Sequence, residues 1–278
     1  MKILIQLTLA FTCLITAQQA RAEEFTAEQI ITIVEEAGDI LLSYYGQNVG
    51  IDYKSDNSPV TKADIAANSY ITQALRALTP DIPIISEETA THAALKDQFW
   101  MVDPMDGTKS FIKKTGEFTV NIALIDHGKP IFGAVYLPIK KVTYFTGLDH
   151  KAYKKHGESP ALISPIAVRV TPNKDLTLVA SSLHRSAADD AFIETHNISA
   201  FKTMSSSIKF CLLAEGLADI YPRFGTTMEW DTAAGHAVLL AAGGRIIERE
   251  SGLDLLYKKP DFRNPHFIAF GAIKGYPE

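Results

Sequence analysis

A layered α/β sandwich is the fold class this sequence predicts, on three observations. Two segments with legible helix caps come first, short apolar runs separated by turns follow from residue 82, and a nearly all-apolar helical segment lies in the second half. Thr26-Ala27-Glu28-Gln29 has the form of a capping box, in which two side chains satisfy the backbone N–H groups that a first helical turn leaves bare. Ile30, Ile31, Val34, Ala37, Ile40, Leu41 and Tyr44 then recur at helical spacing, and Gly46 is the stop. The next helix starts near Thr61, presents Ile65, Ile71, Ala74, Leu75 and Leu78 on one face, ends before Pro80 and carries Asp64 in its first turn. Residues 82–85, 99–102, 120–125, 131–137 and 142–145 read as strands, with 126–130 joining two of them as a hairpin. The Gly- and Pro-containing stretch 157–165 marks a boundary between an N-terminal half, 23–160, and a C-terminal half, 161–278. In the second half 178–181 and 218–221 read as strands, and 208–215 as a helix closed by Gly216. Residues 232–242 are apolar or small almost throughout, so that helix is buried on most sides. Helices interleaved with antiparallel hairpins favour a sandwich over a barrel.

The chain has 278 residues, 46% hydrophobic and 21% charged, with net charge −5. That composition excludes a disordered chain and a general polyanion-binding surface, so a nucleic acid polymer is not an expected partner. A small phosphorylated substrate stays open, because bound divalent cations invert the field of an acidic pocket. Residues 1–22 read as a signal peptide: Met1-Lys2 is a basic start, 3–17 is apolar, and Ala20-Arg21-Ala22 is a small-x-small cleavage site before Glu23. The apolar run is shorter than the ~20 residues of a membrane span. Cleavage implies a periplasmic protein; the alternative is an uncleaved, membrane-peripheral N-terminus. Of the cysteines Cys13 and Cys211 only the second survives cleavage, which excludes an internal disulfide and a Cys-based metal site. No protein partner is inferable.

The segment 100–108 carries the sharpest chemistry. An apolar strand runs into Asp103 and Asp106, three apart, with Pro104 between them to stop the strand from simply continuing. Both carboxylates then converge at the strand end, and the backbone N–H groups of Gly107 and Thr108, where a helix begins, are set to grip a phosphate. Hard oxygen ligands of this kind suit Mg²⁺ rather than Zn²⁺. Asp-Pro and Asp-Gly are also ordinary turn formers. Glu87-Glu88 at the end of another strand repel each other unless a cation or solvent relieves them, and Asp231 precedes the buried helix, where Asp is also a common N-cap. Lys209 and Arg223 are cations beside apolar segments, which an anion or plain solvation explains equally. His236 is expected to pack; Glu229 sits either at the substrate or on the rim.

SEE, then DPMDGT, then WDTAAGHAVLLAAGG, in that order, resemble the inositol monophosphatase superfamily of metal-dependent phosphatases across nearly the whole mature chain. The resemblance implies an αβαβα sandwich of the inositol monophosphatase / fructose-1,6-bisphosphatase type. It casts Glu87, Asp103, Asp106, Asp231 and the Met105 carbonyl as ligands of two or three Mg²⁺ ions, with Asp64 and Thr108 orienting and activating the attacking water. Glu88 is then a neighbour. The runs SDNSPVTKADIAA, DGTKSFIKKTGEFTVNIALIDHGKPIFGAVY, SSSIKFCLLAEGLADIYPRFG and WDTAAGHAV look most like the bacterial 3′(2′),5′-bisphosphate nucleotidases of the CysQ type. These convert adenosine 3′,5′-bisphosphate to AMP and phosphate. Matching positions imply substrate contacts from His184, Ser206, Lys209 and Arg223, beside Glu87, Gly107, Thr108 and Asp231. An inositol monophosphatase or a broader periplasmic phosphomonoesterase is the alternative, and a catalytically silent metal- or phosphate-binding protein the non-enzyme one. The signal-like segment departs from the nucleotidases, which act inside the cell and often associate with the inner membrane.

Overall fold

Thr26 caps the first helix, α1 (Ala27–Tyr44), as its sequence predicts: the hydroxyl accepts from the Gln29 N–H at 3.2 Å, and Gln29 Oε1 accepts from the Thr26 N–H at 2.7 Å. The structure, a computed structural model, describes residues 25–47, 50–54, 58–89, 96–157, 162–181 and 187–276; the signal-like segment 1–22 and His184 lie outside the described residues. A short hairpin of β1 (Ile51–Tyr53) and β2 (Pro59–Thr61) leads into α2 (Lys62–Leu78), whose capping box pairs Thr61 with Asp64. The buried face of α2 is Ala63, Asp64, Ala67, Asn68, Ile71, Thr72 and Leu75. Ile65, expected on it, is 52% exposed. At ~100° per residue it falls just outside the buried arc, which runs from Ala63 to Thr72.

A seven-stranded sheet follows, in the order β3 (Ile84–Ser86), β4 (Gln98–Asp106), β5 (Thr119–Asp126), β6 (Lys129–Leu137), β7 (Val142–Thr146), β8 (Ala152–His156) and β9 (Leu162–Ile166). β3 and β4 are parallel and the remaining pairs antiparallel. Between β4 and β5 lies the short helix α3 (Thr108–Ile112). Pro104 does not end β4. The strand absorbs it in an irregularity between Asp103 and Asp106 and pairs again with β5 at Asp106. The first sheet runs on through Ile166, beyond the Gly/Pro-containing stretch read from the sequence.

After β10 (Val170–Pro172), the chain forms β11 (Leu176–Ser181), α4 (Ala187–Thr195), β12 (Ile198–Met204), α5 (Ile208–Ala214), β13 (Ile220–Arg223), α6 (Ala233–Ala241), β14 (Arg245–Glu248), β15 (Phe267–Phe270) and β16 (Ala272–Lys274). Five of these strands make a second sheet ordered β12-β11-β13-β15-β14, and β10 pairs with β16. Side chains alternate across β4 with period two: Trp100 and Val102 join the core under α1 and α2, while Phe99 and Met101 join the core formed with α5, α6 and the second sheet. A third cluster on the far face of the second sheet takes Phe192 from α4. The layers therefore read α1/α2, first sheet, α5/α6, second sheet, α4. The all-apolar helix α6 sits between the sheets, as its composition requires, and lies so close on β6 that a Cβ at Gly133 would collide with the Ala234 carbonyl. Among the described residues no helix is long and apolar enough to cross a membrane.

Candidate active site

Continuing the alternation of β4, Asp103 falls on the face covered by α5 and α6, and the irregularity after it brings Asp106 to the same strand end. Asp231 closes the single 3₁₀ turn Glu229–Asp231 in front of α6, where its Oδ2 accepts from the Met228 N–H at 2.8 Å. One carboxylate oxygen from each of Asp103, Asp106 and Asp231 lies within 4.8 Å of the other two. Burial, and then Glu87, Asp106 and Asp231, push the Asp103 carboxyl well above its ordinary range. Burial followed by Asp106 and Glu87 does the same to Asp231, while Asp106 rises only to about 6, because Lys209 and a Ser207 N–H bond oppose its burial. Asp103 Oδ1 accepts from the Met105 N–H at 3.0 Å, but its buried Oδ2 meets no donor among the described residues. A buried carboxylate with an unmet oxygen, close to two further carboxylates and with no histidine or cysteine among them, fits a hard divalent cation.

Glu87 is not among those three, but its carboxyl is in side-chain contact with Asp103 and is the strongest charge acting on it. Its Oε1 takes Lys54 Nζ at 2.7 Å, and the same ammonium reaches Glu88 Oε1 at 2.7 Å. The repulsion expected between the adjacent glutamates is relieved by a lysine that sequence reading passed over, since a polar residue in a short loop has no periodic trace. Burial works against the Lys54 charge, but the two carboxylates outweigh it and hold the amine protonated.

Asp64 and Thr108 meet as the family pattern implied. Asp64 Oδ2 accepts from both the N–H and the hydroxyl of Thr61 at 2.7 Å, leaving Oδ1 for the Thr108 hydroxyl at 3.2 Å. Thr108 Oγ1 is also 3.3 Å from the Met105 carbonyl oxygen. Burial lifts Asp64 to about 6, against the pull of its Thr61 bonds. Gly107 makes the sharp turn into α3 at φ +101°, and a Cβ there would stand 2.8 Å from the Glu117 carbonyl oxygen.

A cleft of about 740 Å³ opens beside this centre. Glu87, Asp106, Gly107, Thr108 and Asp231 line it together with Ser206, Lys209 and Arg223. Lys209 is buried, donates to the Ser206 carbonyl at 2.5 Å and stands 5.2 Å over the Tyr221 ring. Its burial pulls it down to about 8 in spite of Asp106. Arg223 donates to the Thr226 carbonyl at 3.2 Å, yet its Nε, like Ser206 Oγ, is buried without a partner among the described residues. Unmet donors in a cleft wall suit an anionic ligand. Arg263 also lines the cleft, unanticipated from sequence. Glu229 has no part in it: fully buried, it accepts from the Lys258 and Lys259 N–H groups at 2.9 Å and pairs with Lys259 Nζ at 2.7 Å. It fastens a turn to the base of α6. His236 packs as expected, hydrogen-bonded to the Tyr257 hydroxyl at 2.9 Å, with burial pushing it down to about 3.

Residues 22–269 match the profile of the inositol monophosphatase family. The chain belongs to the inositol monophosphatase family. Over 246 residues it is 44% identical to the 3′(2′),5′-bisphosphate nucleotidase CysQ of Escherichia coli (strain K12), covering 86% of this chain and 97% of that relative. The crystal structure of CysQ from Bacteroides thetaiotaomicron, a bacterial member of the inositol monophosphatase family, superposes with a TM-score of 0.76 at 38% identity, covering 89% of this chain and 98% of that one. Inositol monophosphatase-II from Staphylococcus aureus shares the fold at 21% identity and TM-score 0.71, over 88% of this chain and 89% of that one. The αβαβα layering is thus the inositol monophosphatase fold, and the acidic cluster lies in a family whose enzymes are metal-dependent phosphatases.

Proposed function

We propose that this chain is a metal-dependent 3′(2′),5′-bisphosphate nucleotidase that hydrolyses the 3′-phosphate of adenosine 3′,5′-bisphosphate to give AMP and phosphate. The observation that carries the reading is a single cleft lined by the carboxylates Glu87, Asp106 and Asp231 and by two cationic side chains, Lys209 and Arg223, with Asp103 buried against Asp106 and Asp231. The 44% identity to a CysQ nucleotidase over most of both chains supports the same substrate.

In this reading Asp103, Asp106 and Asp231 hold the cation, with Glu87 and the Met105 carbonyl completing the set. Their all-oxygen chemistry favours Mg²⁺, and the number of carboxylates leaves room for two or three ions. A bound cation would supply Lewis-acid polarisation and offset the charge that grows on phosphorus. Asp64 and Thr108 have a separate task. The Thr108 hydroxyl, bonded to Asp64 Oδ1, orients the attacking water, and Asp64, lifted to about 6, takes its proton near neutral pH. The new P–O bond forms from water, the ester P–O bond breaks, and the proton ends on the departing 3′ oxygen. Gly107 keeps the backbone close to the transferred phosphoryl group. Ser206, Lys209 and Arg223, together with His184, take the nucleotide and its second phosphate.

With Mg²⁺, the purified mature chain is expected to release phosphate from adenosine 3′,5′-bisphosphate faster than from inositol 1-phosphate or fructose 1,6-bisphosphate. No release from the bisphosphate beside ready hydrolysis of inositol phosphate would favour the broader phosphomonoesterase. Residues 1–22 support export to the periplasm, where such a phosphatase meets other small phosphomonoesters. Sequencing the protein from its native cells is expected to find a mature start at Glu23; retained Met1 would place the reaction where adenosine 3′,5′-bisphosphate is made.

A further inference from the structure

Thr119 and Asn121 of β5 stand opposite Asp106 and Asp103 of β4, and both reach one side chain from the far half of the chain. Ser207 Oγ gives its one proton to Asn121 Oδ1 at 2.8 Å, so it accepts from Thr119 Oγ1, also 2.8 Å away. All three residues are buried. The Ser207 N–H meanwhile donates to Asp106 Oδ2 at 2.5 Å. On its other side Ser206 adopts φ +56° and turns its carbonyl onto Lys209 Nζ, and α5 begins at Ile208. One serine thus touches the strand pair that carries two of the converging carboxylates and the segment that lines the substrate cleft.

Packing alone does not account for this chain of bonds. Among the described residues Asn121 Nδ2 is buried without a partner, and an unmet buried donor costs stability that an apolar side chain of similar shape would not. We propose that Ser207 is a positioning residue: through Thr119 and Asn121 it ties the segment bearing Ser206 and Lys209 to Asp103 and Asp106, keeping cation and phosphorylated substrate in mutual register. The naming of those two ligands rests on the function proposed above. The linkage itself does not.

The test compares full-length wild type with Ser207→Ala by calorimetric titration of Mg²⁺ without substrate, by steady-state hydrolysis of adenosine 3′,5′-bisphosphate at saturating Mg²⁺, and by thermal melting in chelator. The metal dissociation constant is expected to rise about tenfold and kcat/KM to fall about a hundredfold, as for lost bonds that hold a charged group and orient a substrate. A serine that serves stability alone would lower the melting midpoint and leave metal affinity unchanged. Thr119→Val breaks the same chain from its other end and Thr119→Ser restores it, so this pair decides the matter if Ser207→Ala does not fold. Metal affinities within twofold of wild type in both Ser207→Ala and Thr119→Val would overturn the proposal. Because the titration needs no turnover, a wild type inactive on the bisphosphate would sink the substrate reading while the Ser207 comparison is still decided.

Discussion

Asp103→Asn is expected to abolish phosphate release and, at the same time, to make the chelator-treated chain more stable. The amide oxygen keeps the bond from the Met105 N–H, but an amide nitrogen replaces Oδ2, the atom that stands buried without a donor. That nitrogen cannot serve a hard cation. Losing several kcal/mol of transition-state stabilisation lowers kcat/KM by ~10³-fold or more. Stability moves the other way. Burial and the neighbouring carboxylates raise Asp103 above its unfolded value, so the folded chain binds more protons than the unfolded one. This contribution is fully present below the unfolded carboxylate range and is lost as pH rises toward the folded value. Asp106, raised to about 6, adds its share of the loss between roughly pH 4 and 6. Metal-free wild type should therefore melt lower at pH 7.5 than at pH 5. Asn removes the Asp103 share, flattens that dependence and raises the midpoint at pH 7.5 by at least about 3 °C. Calorimetric melts in chelator at both pH values, beside a phosphate-release assay, check both halves; activity near wild type would contradict the assigned metal centre.

The second large effect is expected from Asp64→Asn. Thr61 donates twice to Asp64 Oδ2, so an amide oxygen is held there by the helix cap and the NH₂ group is turned toward Thr108. The Thr108 hydroxyl must then accept instead of donate, and no carboxylate remains to take the proton. Loss of a general base costs about 10²- to 10⁴-fold in kcat. The cap survives, so the melting midpoint should change little, whereas alanine at this position would also lose about 1 kcal/mol of capping. In wild type the acid limb of kcat/KM should lie at or below about pH 6, since a nearby cation lowers a carboxyl that burial, against its Thr61 bonds, lifts to about 6. Asn should remove that limb. A variant with wild-type kcat and an unchanged profile would exclude Asp64 as the base.

The features read correctly from the amino-acid string are those whose cause lies within a few residues. Thr26 with Gln29 caps its helix through bonds three residues apart, the next helix starts at Thr61 with Asp64 in its first turn, and the turn at 126–130 pairs adjacent strands. The composition of the segment before Gly243 decides that α6 is buried without reference to any partner. Asp103 and Asp106 are close in space because they are close in sequence, although the manner differs: β4 bulges around Pro104 and does not stop there. Ile65 shows the limit of periodicity, as an apolar side chain one position off the buried face that faces solvent.

What only the tertiary structure decides is which distant groups share one space. Asp231 reaches Asp103 and Asp106 because α6 lies against the first sheet at Gly133; Thr108 meets Asp64 across 44 residues; and Ser207 meets Asn121 across 86. Lys54 on Glu87 and Glu229 beneath the turn at Lys258 belong to the same class. The ordered motifs identified these carboxylates as a set. Their raised proton affinity and the orphaned oxygen of Asp103 arise only when folding removes water from around them. Local bonds and composition are written along the chain, while burial and the proximity of charges exist only once the two sheets close on α5 and α6.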